Sequence, residues 1–558
     1  MEKSTLSHSM EDPLLSQLLA LASLIALFLV LWTAKRSRCR SQSTENARFN
    51  LPPEIPDAWP IIGHLHLLRK PVPLARILAS MSDHCGPIFL IRLGVHQAVV
   101  ISTNEYVREC FTTHDRTLAS RPRSRVGLHL GYNFAALAFA QYGPYWRQMR
   151  KLMMLELLSH SRLKALKNLQ VSEINTLIKG LYDTVITTPN DHDGPTSNRK
   201  PVIISQWLEY MTLNVITQMI ARKRYFGSRA GGLSVERDAA HAKRVIKEFV
   251  RMSGFPAISD LIPYTGWTDF VGPVRSMKRI AKEFDSIVGS WVEEHEQRRS
   301  VINGERNSQR KKDLDFIDVM ISVIEDNSML GFSKETIIKA TVVILIVAGS
   351  GTTSLTLTWI LSLLLNHKHV LDKAHEELDL KIGRDRWVRD SDIESLPYLQ
   401  AIVKETLRLY PPAPHLIPHE GDEDCIVNGY LVPKGSRLFV NVWKLHRDPR
   451  VWSDPDDFLP ERFLANGDAA DMDVSGQHFE FIPFGSGRRA CPGAALAIQV
   501  THLALARLLQ GFDIATLGDS PVDMTEGRGA SLSKVNPVEV LLMPRLPTEL
   551  FEELTESS

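Results

Sequence analysis

A glycine-rich loop, Phe484-Gly-Ser-Gly-Arg-Arg-Ala-Cys-Pro-Gly493, stands near the C-terminal end of this 558-residue chain. Its glycines permit tight turns and the close approach of a flat ligand. The next residues, AALAIQVTHLALARLLQ, are strong helix formers with apolar periodicity, and Pro492 suits the first helical position. The sequence therefore predicts that Cys491 lies at a helix N-terminus, where free amides, the helix dipole and two adjacent arginines favour a thiolate.

A lone cysteine is most often an inert buried residue, but the surrounding pattern favours another interpretation. Phe484, Gly487, Arg489, Cys491 and Gly493 fill every fixed position of FxxGxRxCxG. On these residues the chain resembles the cytochrome P450 family, whose haem-binding loop has this pattern. The resemblance implies that the Cys491 thiolate is the axial ligand of haem b iron. It also implies that Phe484 packs beside the sulfur, that Gly487 belongs to the haem-binding loop, and that Arg489 pairs with a haem propionate.

Two further motifs follow the family order. Glu405-Thr-Leu-Arg408 resembles the ExxR motif, whose charged side chains share one helix face. Pro460-Glu-Arg-Phe463 resembles the PERF element, and the resemblance implies that Arg462 completes a buried network with Glu405 and Arg408. Taken alone, a Glu/Arg pair is common on solvated helices. If the network is buried, it is structural, because removal of one partner leaves a charge without compensation.

Three other residues are implied at the haem propionates. Trp146-Arg-Gln-Met-Arg150 resembles the family's WxxxR motif, which places Trp146 and Arg150 beside a propionate. An ordinary amphipathic helix would show the same spacing. His419, which follows a proline, matches a position that often supplies a further propionate partner.

The segment 341–365 contains no charged side chain and is long enough to span a membrane. Its centre is rich in Gly, Ser and Thr, which favours a helix that runs through the middle of a large soluble body. Ser333 is a plausible N-cap, with Glu335 in the first turn. A second membrane span, as in a transporter, is the alternative.

The centre of this segment carries the second chemical motif. Residues Ala348 to Thr353 match the family pattern [AG]-G-x-[DE]-T-[TS] except at Gly351, where the pattern has an acidic residue. The resemblance implies that Thr352 assists oxygen activation. Two glycines within a helix suggest a local distortion or a close approach by a ligand. Without the acid, protons would come through waters held by Ser350, Thr352 and Thr353 or from a substrate hydroxyl, or the chemistry departs from hydroxylation.

The N-terminal region predicts an anchor. Residues 1–34 comprise a tail and an uncharged apolar run over about 14–34, which matches the length of one membrane span. The basic run that follows places the rest of the chain in the cytosol by the positive-inside rule. A cleaved signal peptide is the alternative. We expect a basic, proline-rich linker at 35–58, a catalytic domain at 59–545 and a C-terminal tail at 546–558.

The amino-acid composition argues against several classes of protein. Lys plus Arg (65) balance Asp plus Glu (64), which argues against nucleic-acid binding. Five widely spaced cysteines without a CxxC pair argue against a disulfide framework and a structural zinc site. Patterns near 87–95, 98–102, 425–432 and 437–440 are typical of short strands, while the remainder is mostly helical. The expected fold is mainly α with a minor β-sheet: the cytochrome P450 fold after one N-terminal transmembrane helix.

The residues between the fixed motif positions indicate a subfamily. PFGSGRRACPG and KLHRDP resemble plant microsomal members, and Trp207–Val215 resembles a clade that oxidises alkaloids, phenylpropanoids and terpenoids. The resemblance implies a distal pocket that is mostly apolar. The positions expected to line it are Phe134, Val347, Ala348, His415, Leu416, Ser531 and Leu532. Phe134 could equally be a core aromatic, and His415 could be a structural histidine.

Electrons must come from another protein, because no glycine fingerprint for a flavin or nicotinamide follows a strand. The resemblance implies NADPH-cytochrome P450 reductase as the partner. Arg147, Lys151 and Arg488 would form a basic docking face, unless they are ordinary solvated charges. The predicted protein is an endoplasmic reticulum monooxygenase with a cytosolic catalytic domain. It inserts oxygen from O2 into a small lipophilic plant metabolite, with an alkaloid favoured.

Three alternatives stay open. Gly351 allows a haem-thiolate enzyme that rearranges, dehydrates or bridges its substrate. A haem-binding sensor without turnover is the second, and the membrane transporter is the third.

Overall fold

The computed structural model describes most of the chain from Asn50 onward. Besides Ser23, the described residues are 50–186, 201–225, 233–253, 257–262, 265–266, 269, 272–302, 314–325 and 331–556. Apart from Ser23, the predicted membrane span at 14–34 lies outside them, and so does most of the predicted linker.

Helices make up most of the described chain, in agreement with the expected fold class. In chain order they are α1 Leu74–Cys85, α2 Asn104–Phe111, α3 Arg125–His129, α4 Pro144–Leu152, α5 His160–Ala165, α6 Lys167–Ile186, α7 Ile204–Ala221, α8 Leu233–Ser253, α9 Pro273–Ile302, α10 Phe316–Val323, α11 Lys334–Asn366, α12 Lys368–Lys381, α13 Pro397–Leu409, α14 Val442–Leu445, α15 Ala494–Gly511 and α16 Thr548–Glu556. A π-helical turn at Met153–Leu157 continues α4. Short 3₁₀ turns lie at Leu67–Arg69, Ile258–Asp260, Asp390–Ser395, Pro460–Phe463, Gly487–Arg489 and Leu517–Asp519.

The strands form small sheets beside the helices. They are β1 Ile88–Leu93, β2 His96–Ile101, β3 Val202–Ile203, β4 His419–Glu420, β5 Cys425–Val427, β6 Tyr430–Val432, β7 Arg437–Val440, β8 Phe512–Ala515 and β9 Glu539–Pro544. The largest described sheet has the order β1-β2-β7-β4, with β2 and β7 parallel and the outer pairs antiparallel. A second sheet has the order β3-β9-β8, and β5 pairs with β6. The strands predicted around 87–102 and 425–440 are therefore confirmed.

Helix α11 is the central element of the fold. The Ser333 hydroxyl accepts a hydrogen bond from the Thr336 N–H at 3.2 Å, as expected for the N-cap. The helix packs against α7, α9, α13 and α15, and most of its apolar side chains are buried. It is the one helix among the described residues that is long and apolar enough to cross a membrane. Its burial inside the body confirms the prediction of a core helix.

The C-terminal residues pack on the body. Helix α16 lies within the stretch expected to be a tail, and its Phe551 is fully buried. The Phe551 ring stacks on Tyr182 of α6 with 4.1 Å between centroids. The folded body of the described chain thus extends through α16.

Candidate active site

The cysteine loop is closed by its own backbone. The Cys491 N–H donates to the Phe484 carbonyl at 2.9 Å, and the Gly485 N–H donates to the Ile482 carbonyl at 2.9 Å. Gly485 and Gly487 have φ angles of +73° and +66°, which glycine adopts without the steric cost that other residues incur. The loop therefore returns on itself and presents the Cys491 side chain at a fixed position.

The start of α15 differs from the prediction. The helix begins at Ala494, so Pro492 lies in the preceding turn and is not its first residue. Burial raises the pKa of the Cys491 thiol, and the Gly493 N–H and the Arg150 charge offset this only in part. The helix terminus alone therefore does not produce the expected thiolate. A coordinated metal would do so, because a coordinating thiol is deprotonated outright.

Cys491 faces an internal space. Protein surrounds the thiol enough to raise its pKa, yet the residue retains accessible surface. Ala348 and Thr352, one turn apart in the mostly buried middle of α11, are also exposed. The Thr352 hydroxyl donates to the Ala348 carbonyl at 2.7 Å. A cavity joins this part of α11 to the cysteine loop and α15, and its lining consists of Thr352, Thr353, Thr356, Leu407, Pro412, Phe484, Ala497, Ile498 and Thr501.

The two glycines of α11 do not interrupt the helix. A Cβ at Gly349 would lie 3.0 Å from Ile216 Cδ1 on α7, so this glycine permits close packing of the two helices. A Cβ at Gly351 would meet only Val250 Cγ1, at 3.9 Å. The helix is continuous through both positions. Gly351 leaves open space where the family pattern has an acid.

Arg489 is enclosed by carbonyl groups. Its guanidinium donates to Ala119 O at 2.7 Å, Leu137 O at 3.2 Å and Ala140 O at 2.7 Å. The guanidinium carbon lies 4.5 Å from the centre of the Trp146 ring, so α4 and the cysteine loop meet here. Burial, and then the charge of Arg150, lower the pKa of Arg489 to about 10.

Arg121 is a site residue that the sequence reasoning missed. It is 6% exposed and donates to the carbonyls of Ala138, Ile417 and Pro418 at 2.7 to 3.2 Å. Burial, with the charge of Arg489, holds its pKa well below the ordinary range. The sequence offers only one signal for it: a charged residue inside the short run Ala119-Ser-Arg-Pro122 that leads into a loop.

His419 lies beside the same arginines. Its Nδ1 bonds the Leu118 carbonyl at 2.7 Å. Burial and the charge of Arg121 lower its pKa well below the usual value, so the ring is neutral. The structure thus brings together the residues expected at the propionates.

This cluster of cations fits an anionic cofactor. Within the described residues, no carboxylate lies within ion-pair distance of Arg121, Arg150 or Arg489. Buried charges without a partner are costly, so the arrangement favours bound carboxylates. Trp146 Nε1 is a buried donor without a hydrogen-bond partner among the described residues. A flat ring system with two propionates and a metal for Cys491 matches these donors, so the site fits haem.

The acidic and basic residues of the other two motifs form one buried network. Arg408 donates to both oxygens of Glu405, at 2.7 and 2.8 Å, and Arg462 lies 3.3 Å from Glu405 Oε1. Glu405 and Arg408 are fully buried. The remaining donors of Arg408 bond to the carbonyls of His446, Pro455 and Asp457.

His446 connects this network to the cysteine loop. Its Nε2 accepts from the Ile482 N–H at 3.0 Å, so its Nδ1–H donates to the Arg408 carbonyl at 3.1 Å. Ile482 is the residue whose carbonyl closes the loop through Gly485. Burial lowers the pKa of His446 to about 3, so the ring is neutral and both bonds are retained at neutral pH.

The residues expected at the substrate pocket differ in exposure. Val347, Phe134 and Leu416 are half-buried, whereas Ser531 is exposed. Leu532 is 1% exposed, and its carbonyl accepts from Trp359 Nε1 at 2.7 Å.

Two of these residues pack against other parts of the site. The Phe134 ring fills the space beside Gly127. His415 is buried, with Nδ1 bonded to the Leu416 carbonyl at 2.9 Å and no partner for Nε2 among the described residues.

Two of the basic residues expected at the docking face, Arg147 and Arg488, contact the same aromatic ring. The guanidinium carbons of Arg147 and Arg488 lie 5.8 and 5.9 Å from the centre of Tyr142. Lys151, one turn along α4 from Arg147, is exposed. These charges form a basic patch near the cysteine loop.

The fold and the site define a mainly helical enzyme that binds an anionic cofactor between a cysteine loop and a long buried helix. The family model described as Cytochrome P450 matches residues 53–542. The chain therefore belongs to the cytochrome P450 family, whose members carry a cysteine-ligated haem. It is a monooxygenase that uses O2, a small-molecule substrate and a redox-partner reductase.

Relatives match nearly the whole chain. Cytochrome P450 CYP82J17 of Trigonella foenum-graecum is 50% identical over 501 residues, covering 90% of this chain and 92% of the relative. Vinorine hydroxylase of Rauvolfia serpentina is 46% identical over 97% of this chain and 99% of the relative. Xanthotoxin 5-hydroxylase CYP82C4 of Arabidopsis thaliana is 48% identical over 88% and 93%. A zebra fish cytochrome P450 solved with progesterone has a TM-score of 0.68 at 24% identity, covering 85% of this chain and 100% of that chain, which supports the fold.

Proposed function

We propose that Cys491 is the axial ligand of the haem iron and that the cations around it hold the propionates. Arg121, Arg150 and Arg489, with Trp146 and His419, are the proposed propionate partners. The observation that carries this proposal is the cluster of one buried arginine, Arg121, and two half-buried arginines, Arg150 and Arg489, without carboxylates within ion-pair distance among the described residues, beside an accessible Cys491. The bound haem supplies the activation of O2 and the insertion of one oxygen atom into the substrate.

Hydroxyl groups on α11 take the place of the acid that Gly351 replaces. Thr352 Oγ1 lies at an exposed position and donates to the Ala348 carbonyl, and Thr353 lines the same cavity. Ser354 Oγ donates to the Gly351 carbonyl at 3.0 Å. In this proposal Thr352 releases its bond to Ala348 and orders water. Protons then reach the cavity through water, without a carboxylate at position 351.

The proposed substrate is a small lipophilic plant metabolite, with an alkaloid favoured and a terpenoid or phenylpropanoid as alternatives. Relatives of this chain oxidise specialised metabolites that include alkaloids, coumarins and flavonoids. Phe134, Val347, Ala348 and Leu416 are the proposed apolar contacts. Val347 and Ala348 retain accessible surface on α11, Leu416 lies beside Gly485 of the cysteine loop, and Phe134 is half-buried beside Gly127. His415 Nε2 supplies a free polar atom for orientation.

A rearrangement, dehydration or ring-bridging reaction is the second candidate, and the open space at Gly351 is the observation that favours it. Rearrangement or dehydration would proceed without NADPH and reductase, whereas ring bridging is an oxidation and would still consume O2 and NADPH. Product formation with and without reductase therefore distinguishes rearrangement or dehydration from the oxidative candidates, and product identification distinguishes bridging from hydroxylation.

The proposed location is the endoplasmic reticulum membrane, with a single anchor at 14–34 and the catalytic body in the cytosol. NADPH-cytochrome P450 reductase is the proposed electron donor. The patch formed by Arg147, Lys151 and Arg488 would attract an acidic partner electrostatically. Charge reversal at Arg147, which is exposed, should slow reduction more at low than at high ionic strength.

The test of the haem site is spectroscopic. The ferrous–CO complex of the purified protein should show the red-shifted Soret band of thiolate ligation, and Cys491→Ser should lose it. A wild-type spectrum of histidine ligation contradicts the proposal. Thr352→Ala should keep the band but lower the product formed per NADPH consumed, whereas Thr356→Ala, one turn further along α11, should change this ratio less.

A further inference from the structure

Asp115 lies against the turn that precedes the cysteine and belongs to none of the motifs described above. Both of its carboxylate oxygens accept from the Arg488 N–H, at 3.1 and 3.3 Å. The Arg488 guanidinium also contacts it, with Nε 3.2 Å from Oδ2. The Asp115 side chain is 16% exposed, whereas that of Arg488 is 49% exposed. The half-buried Asp115 carboxylate thus contacts both the backbone and the side chain of Arg488.

Gly487 fits the turn to this carboxylate. A Cβ at Gly487 would lie 2.4 Å from Asp115 Oδ1 and 3.3 Å from the Phe111 carbonyl. The positive φ of Gly487 would strain any other residue. The turn and the carboxylate are therefore in direct contact, with no room for a side chain between them.

We propose that Asp115 is a positioning residue for Cys491. By accepting the Arg488 N–H, the carboxylate fixes the 3₁₀ turn Gly487–Arg489. The turn is joined to the cysteine by the bond from the Ala490 N–H to the Gly487 carbonyl. The inference rests on the proposed function, in which Cys491 is the haem ligand.

The chain that follows Asp115 holds the propionate side of the same site. The Leu118 carbonyl bonds to His419, and the Ala119 carbonyl accepts from Arg489. Arg121 lies at the end of this segment and donates to the Ile417 carbonyl. Because Asp115 fixes one end of the segment to the cysteine loop, it couples the position of the sulfur to that of the propionate cations.

The experiment compares substitutions that separate the backbone bond from the ion pair. Asp115→Ala removes both, Asp115→Asn keeps an acceptor without the charge, and Arg488→Ala removes only the guanidinium. Ferrous–CO spectra and the rate of haem transfer to apomyoglobin are the readouts. We expect the ratio of non-thiolate to thiolate band to rise roughly tenfold in Asp115→Ala, the effect of losing one hydrogen bond to a charged group. Asp115→Asn and Arg488→Ala should stay near wild type.

A matched control is Asp83→Ala, which removes a carboxylate that pairs with Lys444 on the surface and should leave the spectrum unchanged. If Arg488→Ala and Asp115→Asn both reproduce the effect of Asp115→Ala, the ion pair is responsible and the proposal is wrong. If Asp115→Ala does not fold, the ferrous–CO spectra of Asp115→Glu and Asp115→Asn are compared instead. Positioning predicts that the displaced carboxylate of Glu impairs the spectrum more than Asn does, and the opposite order overturns the proposal.

Failure of this inference is distinguishable from failure of the haem assignment. A thiolate band that survives Cys491→Ser contradicts the ligand assignment. A band that is lost in Cys491→Ser but unchanged in Asp115→Ala and Asp115→Glu leaves the ligand assignment intact and refutes the positioning role alone.

Discussion

The side chains around the cysteine loop bond to distant parts of the protein, whereas the hydroxyls at the centre of α11 bond only to their own helix among the described residues. Arg489 donates to three carbonyls from the segment 119–140, and His446 joins the loop to Arg408. Thr352, in contrast, bonds to Ala348 one turn away. The loop 482–491 with the side chains bonded to it, called the cysteine side, is therefore fixed by long-range contacts. The hydroxyls at the centre of α11, called the α11 side, are free to exchange hydrogen-bond partners.

This difference predicts opposite responses to substitution. Changes on the cysteine side should lower stability or haem retention, because they leave buried groups without partners. Changes on the α11 side should alter turnover while the fold is retained.

Glu405→Gln should have the largest effect. The substitution leaves Arg408 and Arg462 buried without their common carboxylate, which costs about 3–5 kcal/mol of unfolding free energy. We expect little folded haem protein, measured by chemical denaturation and the ferrous–CO band. Glu461→Gln is the control, because this exposed carboxylate pairs with Lys373 on the surface and should contribute at most about 1 kcal/mol. Equal losses in both variants would contradict a special role for the buried network.

His446→Gln should change the dependence of stability on pH. The pKa of His446 falls from 6.5 to about 3 on folding, so the native state binds fewer protons than the unfolded state between these values. Wild-type stability should therefore fall as the pH falls from 6.5 towards 3, by about 1.4 kcal/mol per pH unit from this group. The Gln variant can still accept from Ile482 but does not titrate, so it should lose about 2 kcal/mol less than wild type between pH 6.5 and 5. Parallel curves of unfolding free energy against pH would refute this.

Arg121→Met should weaken haem binding. Burial of the guanidinium without a carboxylate is costly until an anion binds, and this relief offsets part of the cost of leaving its three carbonyl partners unbonded when haem is absent. We expect haem transfer to apomyoglobin to be roughly tenfold faster, in line with the loss of a charge-assisted hydrogen bond. Arg507→Met is the matched control: this buried arginine bonds to Asn175 and the Val388 carbonyl. Arg507→Met should leave the transfer rate unchanged, and equal acceleration of transfer in both variants would place the anion site elsewhere.

The sequence predicts best those features that lie within one contiguous segment. The strands around 87–102, the Ser333 cap and the burial of α11 follow from short-range patterns, and the structure contains them. The cysteine loop is equally local, since its closing bonds join residues within 482–491.

The features that were missed depend on contacts between distant residues. Arg121 is recognisable only when the carbonyls of Ala138, Ile417 and Pro418 are brought around it. The pKa of Cys491 depends on burial, which outweighs the local effect of the helix terminus. Helix α16 packs through Phe551 on Tyr182, a partner far away in the chain.

The two glycines of α11 give the smallest expected effect and test the α11 side directly. A Cβ at residue 351 has room, so Gly351→Ala should stabilise the protein by about 0.5–1 kcal/mol through helix propensity and a smaller unfolded-state entropy. Gly349→Ala brings the same gain but pushes its Cβ to 3.0 Å from Ile216 Cδ1, so it should be neutral or destabilising. Thermal unfolding of the pair, read at the haem Soret band, measures this difference.

Gly351→Asp extends the same comparison from stability to turnover. If the open space at residue 351 accommodates a carboxylate, the variant should fold with an unchanged thiolate band, because Val250 Cγ1 is the nearest contact of the new Cβ. A proton path restored through this carboxylate should then raise the product formed per NADPH, relative to Gly351→Asn of the same size. Equal product ratios in Asp and Asn would show that the hydroxyls of α11 already deliver the proton. Loss of the thiolate band in both would mean that the α11 side is as tightly constrained as the cysteine side.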